Sequence, residues 1–148
     1  MKRLLPVFLP LLLVSAASAQ DFPKGPGEAD FEKVCGGCHG ADVVFTMHNS
    51  EGLWKDIVGD MVTRGADANE ETVKTIVGYL AKYFGPAIEV NKAPATQLAT
   101  DLGVTSQEAD AIVKYRTDKG NFKAWDDLSK VPGLDAKKIE PLKNRLTY

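Results

Sequence analysis

Cys35-Gly36-Gly37-Cys38-His39 places two thiols and an imidazole side by side in the chain. The spacing C-x-x-C-H is that of c-type haem attachment. On a helix, Cys35 and Cys38 sit one turn apart and both reach the vinyl groups along one porphyrin edge. His39 follows as the proximal iron ligand, and Gly36 and Gly37 let the backbone approach the macrocycle. A thioredoxin-like C-x-x-C needs a βαβ setting, and the sequence shows none. A zinc site from Cys35, Cys38 and His48 lacks a fourth natural ligand. A disulfide across two residues is strained. One covalently attached haem c per chain is therefore the expected cofactor. Met61 is the favoured distal ligand, with Met47 and His48 as alternatives, because a thioether, a second imidazole and an open site each tune such an iron differently.

The elements that must position these groups read as helices. The pattern begins near Glu28, with Phe31 and Val34 on one face, and runs into Cys35. A loop is expected from Ala41 to Ser50. Ser50 then reads as the N-cap of a second helix whose apolar stripe is Leu53, Trp54, Ile57, Val58, Met61 and Val62, ended by Gly65. A third helix is expected over about Glu70 to Phe84, stopped by Gly85-Pro86. In so small a unit a haem must itself be the centre of the core, so Met61 on the inner stripe lies near the iron. Phe31, Trp54, Tyr79 and Leu80 are candidate porphyrin walls. Arg64 is a candidate partner for a propionate.

The chain has 148 residues, 44% hydrophobic and 26% charged, with a formal net charge of −2. That excludes a disordered chain and a uniformly cationic nucleic-acid binder. Residues 1–19 read as a signal peptide: Lys2 and Arg3, an apolar run from Leu4 to Val14, then Ala17-Ser18-Ala19 before Gln20. The run is too short to span a bilayer, so export without a membrane span in the mature chain is expected, in a periplasm or otherwise outside. Residues 20–27 read as an extended arm. The charge is uneven: 21–86 holds six bases and eleven acids, 87–148 ten bases and nine acids. The step falls at Phe84-Gly85-Pro86, which divides a domain at 28–86 from one at 87–148.

The second half repeats itself. Leu98, Gly103, Val104, Ala109 and Ile112 match Leu128, Gly133, Leu134, Ile139 and Leu142 in spacing. Each copy reads as helix, tight glycine turn, helix, and the two must pack together to bury a core. The fold class expected is all-α: three helices around a haem, then two helical hairpins.

Two resemblances follow from these residues. The Cys-Gly-Gly-Cys-His-Gly signature, Trp54 to Gly65, and Val77 to Phe84 make 28–85 similar to short c-type cytochrome domains, in particular haem domains associated with quinohaemoprotein amine dehydrogenases. There the helix methionine is the distal ligand, which implies Met61; the Met-bearing loop of larger cytochromes c is missing here. Residues 90–146 resemble the paired helix-hairpin-helix domain of small exported DNA receptors in naturally competent bacteria (ComEA-like), through Val90 to Ala93, Leu98 to Gly103, Ala109 to Arg116, Gly120 to Lys123, Trp125 to Leu128 and Val131 to Leu134. Such turns offer backbone N–H groups to phosphate. The candidate phosphate contacts are Gly103, Thr105, Gly133, Lys137 and Lys138. The second glycine of each turn is replaced, by Thr105 and by Asp135, and Asp135 more naturally caps its own helix.

The leading expectation is an exported c-type cytochrome, not an enzyme, carrying single electrons between periplasmic redox partners. The alternative is a haem-bearing exported DNA-binding protein that uses its helix-hairpin-helix half.

Overall fold

The structure is a computed structural model, and it describes residues 21–148. The expected leader, residues 1–19, and Gln20 lie outside the described residues. Among the described residues no helix is long and apolar enough to cross a membrane.

The first half holds three α-helices, as the stripe pattern predicts. Helix α1 (Glu28–Cys35) starts after Gly27, whose φ of 93° only glycine adopts readily, and carries Glu28 and Asp30 where the helix dipole favours anions. It stops at Cys35, because Gly36 and Gly37 add backbone entropy and no helix-stabilising side chain. Cys38 is therefore on a turn beyond the helix, which corrects the expectation that one helix carries both thiols. The segment expected as a loop contains a 3-10 turn (Ala41–Thr46), in which Thr46 Oγ1 donates to the Val43 carbonyl.

Helix α2 (Glu51–Thr63) is capped by Ser50, whose Oγ accepts from the Leu53 N–H at 3.3 Å. Helix α3 (Glu70–Tyr83) is capped by Asn69, whose Oδ1 accepts from the Thr72 N–H at 2.9 Å. Both α1 and α2 pack on α3. Phe31, Tyr79 and Phe84 cluster at the centre, with ring centroids 5.3 to 6.5 Å apart. The arm is docked on this cluster. Phe22 stacks on Phe45 and meets Phe31 edge-on, while Tyr79 and Tyr83 donate their hydroxyls to the carbonyls of Pro23 and Lys24.

The second half opens with a short strand, β1 (Ile88–Glu89), paired in parallel with β2 (Leu146–Thr147) at its far end. Between them lie α4 (Ala95–Leu102), α5 (Ser106–Lys119), α6 (Trp125–Leu128), α7 (Ala136–Ile139) and a second 3-10 turn (Glu140–Arg145). The repeat is real in three dimensions. Gly103 and Gly133 both turn with positive φ, 65° and 85°. The copies differ at their ends. The helix after Gly133 gives way to a 3-10 turn at Glu140, where Pro141 has no N–H to continue the α-helical ladder.

The two halves share one continuous apolar core. Arg145, only 7% exposed, reaches from the second 3-10 turn to the end of α3. Its Nη1 donates to the Lys82 carbonyl at 2.6 Å and its Nε to the Pro86 carbonyl at 3.1 Å. Lys82 is in the last turn of α3, where the helix supplies no further N–H to its carbonyl, and Pro86 lies just past that end.

Candidate functional site

Two places concentrate chemistry: the junction of the hairpin turns and a cleft in the first half. At the junction an added Cβ on Gly103 or Gly133 would meet nothing within 4 Å, so positive φ alone demands glycine and the turns face open space. Thr105 caps α5 in a capping box, with the Glu108 N–H donating to Thr105 Oγ1 and Glu108 reaching back. Glu108 Oε2 accepts from the Thr105 N–H and from the Thr105 hydroxyl, both at 2.8 Å. Its Oε1 accepts from the N–H of Asp135, in the other hairpin, at 3.1 Å.

These bonds to Thr105 and Asp135 stabilise the ionised form and hold the Glu108 carboxyl down at about 2. Lys138 Nζ lies 3.9 Å away, half-exposed, and adds to the same effect. Thus three candidate phosphate contacts, Thr105, Lys138 and the turn of Gly133, converge on one carboxylate. Glu108 is the residue that sequence reasoning missed. The T-x-x-E spacing signals its bond to Thr105, but nothing local signals the bond to Asp135. The Asp135 side chain accepts from the Lys137 N–H at 3.2 Å, the capping role expected of it.

The ten bases of this half are not equivalent. Arg145 is buried, and Arg116 donates to the Val90 carbonyl at 2.6 Å. Lys92, Lys114 and Lys143 pair with Glu89, Asp118 and Glu140, and Lys143 also lies 4.5 Å from the centre of the Trp125 ring. Lys119, Lys123, Lys130 and Lys137 make no ion pair among the described residues.

The cleft has a volume of about 500 Å³, within the roughly 300–1,000 Å³ usual for small-molecule and cofactor sites. Its walls come from every helix of the first half: Phe31, Val34 and Cys35 of α1, then Cys38 and His39, Val43 and Val44 of the 3-10 turn, Met47, the Trp54, Ile57, Val58, Met61 and Val62 stripe of α2, Arg64, and Leu80 of α3. The lining is overwhelmingly apolar, and the thiols, one imidazole and two thioethers are its chemical groups. Burial pushes the Cys35 thiol up, so it stays protonated. His39 Nδ1 lies 3.0 Å from the Gly40 carbonyl. With Nδ1 donating there, Nε2 keeps its lone pair for a metal. Trp54 Nε1 donates to the Phe84 carbonyl at 3.1 Å, which fixes one wall.

Met61 and Met47 both line the cleft, whereas His48 does not. Tyr79 does not line it either, being turned to Pro23, which corrects its expected place on the wall. Arg64 stands at the cleft and bonds Asp60 Oδ2 at 2.9 Å. Among the described residues no three His, Cys, Asp or Glu side chains gather as an ion cage. The apolar walls, with two thiols, an imidazole and two thioethers among them, would fit a large apolar group that thiols and an imidazole can hold.

Comparison with known proteins addresses the other half. Residues 85–147 match the family model of the helix-hairpin-helix motif. ComE operon protein 1 of Bacillus subtilis (strain 168) is 33% identical over 63 residues, 43% of this chain and 31% of that protein. Endonuclease/exonuclease/phosphatase family domain-containing protein 1 is 43% identical in Xenopus laevis and 41% in Homo sapiens, each over 56 residues, 38% of this chain and 10% of that protein. The chain thus spans less than a third of the length of these relatives. No solved structure matches the chain.

These findings correct the leading functional expectation. An electron carrier between periplasmic redox partners, and the cytochrome and electron-transport class with it, is not what the comparisons return. The family model begins at residue 85, past the whole Cys35 to Met61 region, and falls on the half expected to contact DNA. The match to the helix-hairpin-helix motif is thus confined to residues 85–147 of this chain.

Proposed function

We propose that this chain is an exported DNA-binding protein that holds nucleic acid through its hairpin pair and carries a covalent haem in its first half. The observation that carries the DNA reading is the meeting of two left-handed glycine turns, Gly103 and Gly133, in one hydrogen-bonded junction within the matched domain. Lys137 and Lys138 flank that junction. Lys119, Lys123 and Lys130 extend the supply of unpaired cations. Contact of this kind positions a phosphate backbone and reads no base sequence. The match of residues 85–147 to the helix-hairpin-helix motif supports the same reading.

The cleft supports the cofactor. Cys35 and Cys38 would hold the group through thioether bonds, His39 would offer Nε2 to its iron, and Met61 would offer a thioether, with Met47 as the competing one. When bound, haem supplies an iron centre whose potential these ligands set. Phe31, Trp54, Val58 and Leu80 would shield it from water, and the Arg64 guanidinium stands at the rim.

The test is fluorescence anisotropy of the mature chain with a labelled duplex and a labelled single strand, titrated across salt. Binding that weakens steeply with salt and drops several-fold in the Lys137→Ala/Lys138→Ala double variant is expected. Absence of binding at low salt overturns the reading. In parallel, a chain exported by a host competent for cytochrome c maturation should keep its chromophore through acid–acetone extraction. The Cys35→Ser/Cys38→Ser variant should release it.

A further inference from the structure

We infer that Glu108 sets how tightly the hairpin pair holds phosphate, because its carboxylate takes the place between the two turns that a phosphate would occupy. This rests on the DNA-binding reading above. Hairpin turns hold phosphate by pointing backbone N–H groups at an anion. Here the turn N–H groups of Thr105 and Asp135 already point at one: the two oxygens of a single glutamate. The Thr105 hydroxyl donates to it, and the Lys138 ammonium lies beside it. Two amides from separate turns, a hydroxyl and an ammonium are the partners that a phosphodiester takes.

Helix capping does not account for the whole arrangement. The capping box needs the bond to Thr105, but the bond to Asp135 crosses to a turn 27 residues away. Glu108 is 8% exposed, so its charge is held in place and not lost to solvent. The exposed Asp135 carboxylate beside it adds a second negative charge. The hairpins therefore meet DNA with side-chain cations while their own anion holds the turn amides, and affinity stays low.

The experiment compares the full mature chain with Glu108→Gln and Glu108→Ala, using the same labelled duplex across salt. Circular dichroism and thermal melting establish that each variant is folded. Glu108→Ala removes the charge and frees the amides; Glu108→Gln removes the charge and keeps an acceptor for the Asp135 N–H, so it preserves the junction. Duplex binding on the order of ten-fold tighter at fixed salt is expected for Glu108→Ala, and a smaller gain for Glu108→Gln. The salt slope should steepen by about one for the added phosphate contact. A merely structural Glu108 would produce a loss instead. Folded variants that bind no tighter than the parent overturn the inference while leaving DNA binding intact. If parent and variants alike fail to bind at low salt, the DNA reading falls and takes this inference with it. Should Glu108→Ala fail to fold, Glu108→Gln decides.

Discussion

The two halves solve the same packing problem in opposite ways. Behind its turns the hairpin half closes its core with aliphatic side chains, among them Leu98, Leu102, Ile112, Leu128, Ile139 and Leu142. Its chemistry lies at a junction where backbone donors and one carboxylate are already satisfied. The first half gathers aromatic side chains, Phe31, Trp54, Tyr79 and Phe84, and still leaves a cleft of about 500 Å³ walled in part by Phe31 and Trp54. Its chemistry is a set of side chains facing that space. A region complete without a ligand tunes contact by charge. A region with a cavity in its core depends on what fills it.

The largest effect expected from breaking this contrast is at Trp54. It is buried, walls the cleft and ties α2 to the Phe84 carbonyl. Trp54→Ala should cost about 3–5 kcal/mol of stability, measured by denaturant unfolding. If haem fills the cleft against Trp54, the loss should be larger in the haem-loaded chain than in the haem-free one, because the variant also loses its contact with the bound group. Equal losses in both would place Trp54 outside the cofactor's contacts.

Arg145 sharpens the comparison from the other side, since it joins the halves. Arg145→Ala leaves the Lys82 and Pro86 carbonyls unpaired and removes a buried stem, a cost of about 2–3 kcal/mol. One cooperative unfolding transition in the parent should separate into two in the variant, read by tryptophan fluorescence and by far-ultraviolet circular dichroism. Coincident transitions would show that the shared apolar core alone keeps the halves together.

The smallest effect is in acid. Glu108 has its carboxyl lowered in the fold to about 2 from an ordinary value of 4.5, chiefly by the Thr105 and Asp135 N–H groups. A lowered folded-state value means that the unfolded chain takes up the proton first. The contribution of Glu108 is therefore complete above pH 4.5 and is lost as pH falls toward 2. The stability difference between parent and Glu108→Gln should shrink across that window. A difference that stays constant with pH would show that the neutral side chain serves equally well.

Much of the fold was legible in the chain because its signals are short-range. Ser50 caps α2 through an N–H three residues on, and Asn69 caps α3 in the same way. The spacing of Leu98, Gly103 and Ile112 against Leu128, Gly133 and Leu142 exposes the two hairpins before any coordinates. Those contacts depend on residues within a turn or two of each other, so composition and periodicity carry them. The end of α1 at Cys35 was written in Gly36 and Gly37, though the thiol spacing argued for a longer helix. The early end of α7 was written in Pro141.

What the amino-acid sequence determined by itself is this local grammar: helix starts and stops, glycine turns, the repeat, and the C-x-x-C-H spacing that makes haem the expected group. Only the tertiary structure decided that Met47 shares the cleft with Met61 while His48 does not, that Arg145 serves the end of a helix 63 residues before it, and that Glu108 holds the turn at Asp135. The physical reason is distance along the chain. A carboxylate or guanidinium with unmet hydrogen-bonding capacity takes the donor or acceptor that packing brings to it, and packing is a property of the whole core.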